Sequence, residues 1–112
     1  MGKLSLIDDT YEGRPAVRLD MGSSLDMQAA EALCEVLREA VCASQPLIID
    51  AASVERMSTS AIQLLLAAER ALAGIGCPMA VRDPTGAFLA AFADLGFEPD
   101  AMNWVLVENT DG

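Results

Sequence analysis

Hydrophobic positions along the chain recur with two different periods, and the changes of period divide it into elements. Lys3 to Ile7 and Pro15 to Leu19 are short apolar runs separated by the polar stretch Asp8-Asp9-Thr10-Tyr11-Glu12-Gly13, which predicts two strands joined by a hairpin-like loop. Met21-Gly22-Ser23-Ser24 then breaks the strand pattern. Met27, Ala30, Leu33, Cys34, Leu37 and Val41 fall at helical intervals, predicting an amphipathic helix with Ser24 or Asp26 as N-cap. Glu31, Glu35 and Glu39 share its other side, a spacing that suits a solvated face and, as the functional alternative, a stripe facing a basic partner.

Pro46-Leu47-Ile48-Ile49-Asp50 is a continuous apolar run between two helical patterns, as expected of an inner strand of a β-α-β unit buried on both faces. After a loop from Ala51 to Met57, the stretch Ser58 to Ala73 is apolar nearly all round and is stopped by Gly74 and Gly76, which predicts a largely buried helix. Met79-Ala80-Val81 reads as a strand. Asp83-Pro84 supplies an N-cap followed by proline at the first helical position, and Phe88, Leu89, Phe92 and Leu95 mark a third helix ended by Gly96. Trp104 to Val107 adds a last edge strand before the polar tail Glu108 to Gly112. The order ββαβαβαβ predicts one α/β domain over residues 1–112, with a mixed sheet of about four to five strands and helices packed on it.

Composition narrows what such a domain does. At 112 residues there is room for one core, and 53% hydrophobic residues against 21% charged are enough to build it. Acids outnumber bases 17 to 7, giving a net charge of −10 that repels phosphate backbones and anionic lipid, so nucleic acid is not an expected partner. No segment reaches the ~18 apolar residues of a spanning helix. Met1 to Leu6 has no apolar run behind it, and Leu6 stands where a myristoylation signal needs Ser or Thr, so a cytoplasmic protein without membrane insertion is expected.

Histidine is absent, which removes Ser-His-Asp and Cys-His nucleophile systems, histidine metal sites and phosphohistidine relays. The single lysine, Lys3, lies at the N-terminus. Gly74-Ile75-Gly76 precedes a strand and lacks a third glycine, so it is a helix stop and not a dinucleotide fingerprint. Asp8-Asp9 could pair as acid and base or hold a metal, but with no third ligand in view it reads as a solvated turn. No catalytic residue, cofactor or metal is expected. Cys34, Cys42 and Cys77 are odd in number without C-x-x-C spacing, as reduced, buried small hydrophobes would be.

Ser58-Thr59-Ser60 stands out, because three hydroxyls arrive together where a loop leaving the C-terminal end of a buried strand enters a helix. One hydroxyl is enough for a cap. The partial positive charge of a helix N-terminus also tolerates a phosphate, which makes the segment a candidate phospho-acceptor turn. Asp50 at the strand end is expected to orient the loop through backbone hydrogen bonds, and Met57 to pack in the loop or offer an adaptable contact.

The run LIIDAASVERMSTSAIQLLLAAERAL, from Leu47 to Leu72, resembles the STAS domain, the family of bacterial anti-sigma factor antagonists and related regulators. The likeness lies in the strand ending in Asp50, Val54 in the following loop, the Met57-Ser58-Thr59-Ser60-Ala61 turn and the Leu-rich helix, with Gly76-Cys77-Pro78-Met79-Ala80-Val81 and Leu95-Gly96-Phe97 in support. The resemblance implies a non-enzymatic signalling module that binds an anti-sigma factor or serine kinase through Asp50, Val54, Met57, Ser58, Thr59, Ala61 and Gln63. It implies phosphorylation at Thr59, with Ser58 and Ser60 beside it. Three positions depart from the family's turn: Ser58 replaces an acid, Ala61 a glycine, and Gln63 a small residue. The helix is most similar to the single-domain STAS proteins that accompany chemotaxis-type histidine kinases. The alternative within the family is a constitutive subunit, such as those on the ATPase of a lipid transporter, or a chemotaxis-associated scaffold, in which Thr59 is only a contact or cap.

Overall fold

The computed structural model describes residue 4, residues 6–22, 29–96, and the backbone of 24–25 and 105–107. The elements in chain order are β1 (Leu6–Tyr11), β2 (Arg14–Asp20), β3 (Ser24–Leu25), α1 (Ala29–Ala43), β4 (Leu47–Asp50), β5 (Arg56–Met57), α2 (Thr59–Gly74), β6 (Met79–Arg82), α3 (Gly86–Asp94) and β7 (Val105–Val107). Five strands form a mixed sheet in the order β1-β2-β4-β6-β7, antiparallel only at β1-β2, so the α/β architecture read from the hydrophobic pattern is the one observed. The predicted cap Asp26, the apolar Met27, the start of the first strand at Lys3, and Phe97, Trp104 and the tail Glu108 to Gly112 lie outside the described residues.

The first correction concerns the hairpin. Asp8 to Tyr11 belong to β1, and only Glu12 and Gly13 make the turn, both with positive φ (52° and 79°), the backbone a two-residue connection between twisted strands requires. The polar stretch looked like a loop because β1 is an edge strand, where exposed acids are tolerated. Successive strand residues point to opposite faces, so Asp8 and Asp9 do not converge on an ion or a substrate. Asp9 instead receives Arg18 at 3.1 Å and Arg82 at 3.7 Å, a shared ion pair that reaches from β1 to β6 across the sheet. Both partners are part-exposed, so the cluster orients strands more than it stabilises them.

Side chains from Val17, Leu19, Leu47, Ile49, Met79 and Val81 meet Leu33, Leu37, Leu65, Leu72, Phe88 and Phe92 in one continuous core. Ala16, Ile48 and Ala80, at the alternate positions of the same strands, are buried on the opposite face. β4 is therefore covered on both sides, as its unbroken apolar run implied.

Helix α2 is less buried than its composition predicted. Six of its 16 residues are buried, and Gln63, Ala67, Arg70 and Ala71 are exposed, because alanines on the solvent side look apolar without needing cover. The helix ends as expected: Gly76 takes φ 76°, its N–H bonds to the Ala73 carbonyl, and the Cys77 N–H reaches back to Leu72 at 2.9 Å, closing a Schellman motif. Two further expectations fail. Ser24 is a strand residue of β3, paired with Arg56 of β5, and not a helix cap. The α3 cap is Thr85, not Asp83: Asp83 sits at φ 50°, whereas a cap is extended, and the Thr85 hydroxyl accepts the Phe88 N–H at 3.1 Å. The same hydroxyl donates to the Val54 carbonyl at 2.6 Å, tying the start of α3 to the loop after β4. The cysteines are free, but only Cys77 is buried, Cys34 being half-buried and Cys42 exposed.

Three outcomes follow for stability. Leu65→Ala is expected to lower the unfolding free energy by about 2–5 kcal/mol in urea titration, against about 0.5 kcal/mol or less for Gln63→Ala on the exposed face of the same helix. Thr85→Val, which keeps the shape and loses both hydrogen bonds, should cost about 1–3 kcal/mol and speed amide exchange in the loop after β4. Maleimide should label Cys42 quickly, Cys34 slowly and Cys77 only on unfolding, with the melting temperature unchanged by reductant.

Candidate functional site

Parallel strands place their C-terminal ends on one edge of the sheet, and the connections leaving that edge meet there. The segment after β2 contributes Met21 and β3, the segment after β4 contributes Ala51 to Ser58, and the segment after β6 contributes Asp83 to Thr85. Backbone bonds lock them together: Met21 N–H to the Asp50 carbonyl at 3.1 Å, Ala51 N–H to the Arg82 carbonyl at 3.0 Å, and β3 to β5 in a separate parallel pair. Asp50 accepts the Ala52 N–H at 3.1 Å, the loop-orienting bond its place at the strand end suggested. This small second sheet was not legible in the sequence, because two-residue strands carry no periodicity.

The three hydroxyls divide into different environments. Ser58 is the N-cap of α2, extended at φ −77° and ψ 160°, with its Oγ accepting the Ala61 N–H at 3.2 Å. Thr59 is the first helical residue and is exposed, while Ser60 is half-buried and lies at the mouth of the seam between α1 and α2. Thr59 thus presents its side chain to solvent at the helix end where the backbone dipoles are positive.

The other expected contact residues split by exposure. Val54 and Ala61 are 1% and 0% exposed, so they anchor the loop and the first turn of α2 inside the core and offer no surface. Met57 is half-buried, packed against the core rim, and Asp50 is half-buried with a carboxylate oxygen on the loop backbone. Gln63 is exposed, one turn along from Thr59 on α2. Thr85, which holds Val54 from the neighbouring connection, was missed, since Asp-Pro immediately before it is the stronger capping signal. Among the described residues, no group of three or more histidine, cysteine or acidic side chains could hold a metal ion, and no helix is long and apolar enough to cross a membrane.

No curated protein matches the chain in sequence. Among solved structures, the anti-sigma factor antagonist SpoIIAA in its unphosphorylated form superposes with a TM-score of 0.71 at 17% identity, covering 96% of this chain and 90% of that one. The Bacillus cell fate determinant SpoIIAA in the phosphorylated form gives 0.70 at 20% identity, over 96% and 92% of the two chains. A protein with a SpoIIAA-like fold from Shewanella loihica gives 0.61 at 12% identity, over 96% and 86%. These likenesses establish the shared fold. The family described as "Mlab, STAS domain" matches residues 11–108, nearly the whole chain. With the sheet order, the loop after β4 and the capped α2 all in place, the chain belongs to the STAS domain family.

Proposed function

We propose that the chain acts as one domain, residues 1–112, that binds a partner protein and catalyses nothing itself. It docks through the loop after β4 and the first turn of α2 onto a serine kinase or anti-sigma factor in the cytoplasm, with phosphorylation of Thr59 as its switch. The observation that carries this reading is the division of labour at the turn: Ser58 holds the cap, and Thr59 beside it is exposed, its hydroxyl making no hydrogen bond among the described residues. A phosphate there would meet the positive end of α2 and leave the cap intact, so the domain would stay folded in both states. Docking would feel the charge differently. A surface fitted to a neutral hydroxyl must desolvate the added charge without a paired cation, and an unpaired charge at an interface costs on the order of 2–5 kcal/mol. That exceeds the roughly 0.3–1 kcal/mol an anion gains at a helix N-terminus. The similarity to SpoIIAA, known in phosphorylated and unphosphorylated forms, supports the same reading.

A constitutive subunit that never titrates with phosphate is the second reading, and the residue preceding Thr59 favours it. Ser58 stands there instead of an acid, and its oxygen is occupied by the Ala61 N–H, so the acidic feature implied for a phosphorylated STAS turn is missing.

Mass spectrometry of the protein taken from its own cells, with and without phosphatase, separates the two. Phosphate on Thr59 is the expected result; an unmodified 58–60 segment under every growth condition supports the constitutive subunit. In binding titrations with the cognate partner, Thr59→Glu should weaken the complex while Thr59→Ala should bind as wild type. Thr59→Ala should also change stability by less than about 0.5 kcal/mol, whereas Ser58→Ala should lose about 1 kcal/mol with the cap. Equal affinities for wild type and Thr59→Glu would overturn the switch.

A further inference from the structure

Helix α2 is rich in carbon on its solvent side as well as its sheet side, and the exposed surplus borders a groove. Leu37 and Val41 of α1 and Leu64 of α2 line the seam between the two helices together with Cys42, Ala67 and Ala71, enclosing about 380 Å³ open to solvent. A second depression continues it past Cys34 and Leu64 to Glu31, Ser60 and Gln63. From Ser60 to Ala71 the trough follows about three turns of helix, roughly 16 Å.

We propose that this groove seats an amphipathic helix of a partner protein, one with basic residues clustered at the end lying over Glu31 and Glu35. A trough running along two helices matches the apolar face of a third, read at i, i+3, i+4 and i+7. The charges choose among proteins. Glu31 lines the end of the groove beside Ser60, with Glu35 exposed one turn further along α1, and Arg38 is the cation that lines the groove beyond them. The lining thus carries an acid, Glu31, at the Ser60 end and a cation, Arg38, towards Ala71, which gives a docked helix a direction. A second copy of the chain fits poorly, because each carries a net charge of −10 and two copies repel, whereas a basic segment is drawn in. The proposal goes beyond the switch at Thr59 and does not rest on it, since Thr59 is not among the residues lining the groove.

The probe is a synthetic helical peptide of about 16 residues, with leucine and alanine on one face and lysines at one end, titrated into the isotope-labelled full chain and followed by amide NMR. Shifts should map to Leu37, Val41, Leu64 and Ala71, and affinity should fall about tenfold between roughly 50 and 500 mM salt. The same apolar face with glutamates in place of the lysines should bind at least about tenfold more weakly. Ala67→Arg with Ala71→Arg fills the groove at exposed helix positions with a good helix former, so the domain should melt as wild type and lose the peptide. Glu31→Gln with Glu35→Gln should weaken binding and flatten its salt dependence. Equal affinity for both peptides, shifts mapping elsewhere, or unchanged binding by the double-arginine variant would overturn the proposal. So would a concentration-dependent dimer whose interface is this groove, or laurate shifting the same residues where the peptide does not.

Discussion

Leu47 to Asp50 are hydrogen-bonded to β2 on one side and to β6 on the other, and the first three side chains of this strand are 0–2% exposed on alternating faces. A one-residue slip would put the Asp50 carboxylate where Ile49 sits, inside the aliphatic core, at a cost several times that of any surface contact in the molecule. The register is thereby fixed, and with it the point at which the chain leaves the sheet. Asp50 is then held where its carbonyl meets Met21 and its carboxylate meets Ala52, the Ala51 N–H finds Arg82, and the Val54 carbonyl finds Thr85. The position of the turn at the start of α2 follows from these bonds.

What was legible in the sequence is what periodicity can encode. The buried run of β4, the helical spacing of Leu33, Leu37 and Val41, and the glycine stop after α2 each carry a signal several residues long, and each is where the pattern put it. The misreadings share a different physics. Asp8 to Tyr11 are polar because they lie at a sheet edge, and the exposed alanines of α2 are apolar without being buried, so composition was mistaken for environment at both places. Thr85 displaced Asp83 as a cap through a backbone angle that no residue pattern announces. The β3-β5 pair depends on two connections from different parts of the chain lying side by side, which is tertiary information.

At the turn itself the sequence located the hydroxyls but could not rank them. Three adjacent Ser and Thr residues look equivalent in one dimension. Folding gives them separate fates, because a helix start assigns each successive position a different direction: the first hydroxyl points back along the axis to an orphan N–H, the second outward, and the third towards the neighbouring helix. Val54 and Ala61, grouped with them by resemblance, serve from inside by fixing where the exposed residues stand.

The pairing of Ser24 with Arg56 and of Leu25 with Met57 joins segments 32 residues apart in the chain by only two residue pairs. Closing so long an interval is entropically expensive, and so short a ladder returns little before the rest of the sheet is in place. Such a ladder is expected to form after the main sheet and to open before the double-sided β4. A chain that begins to loosen would on this ground lose the geometry of the turn before it loses its core.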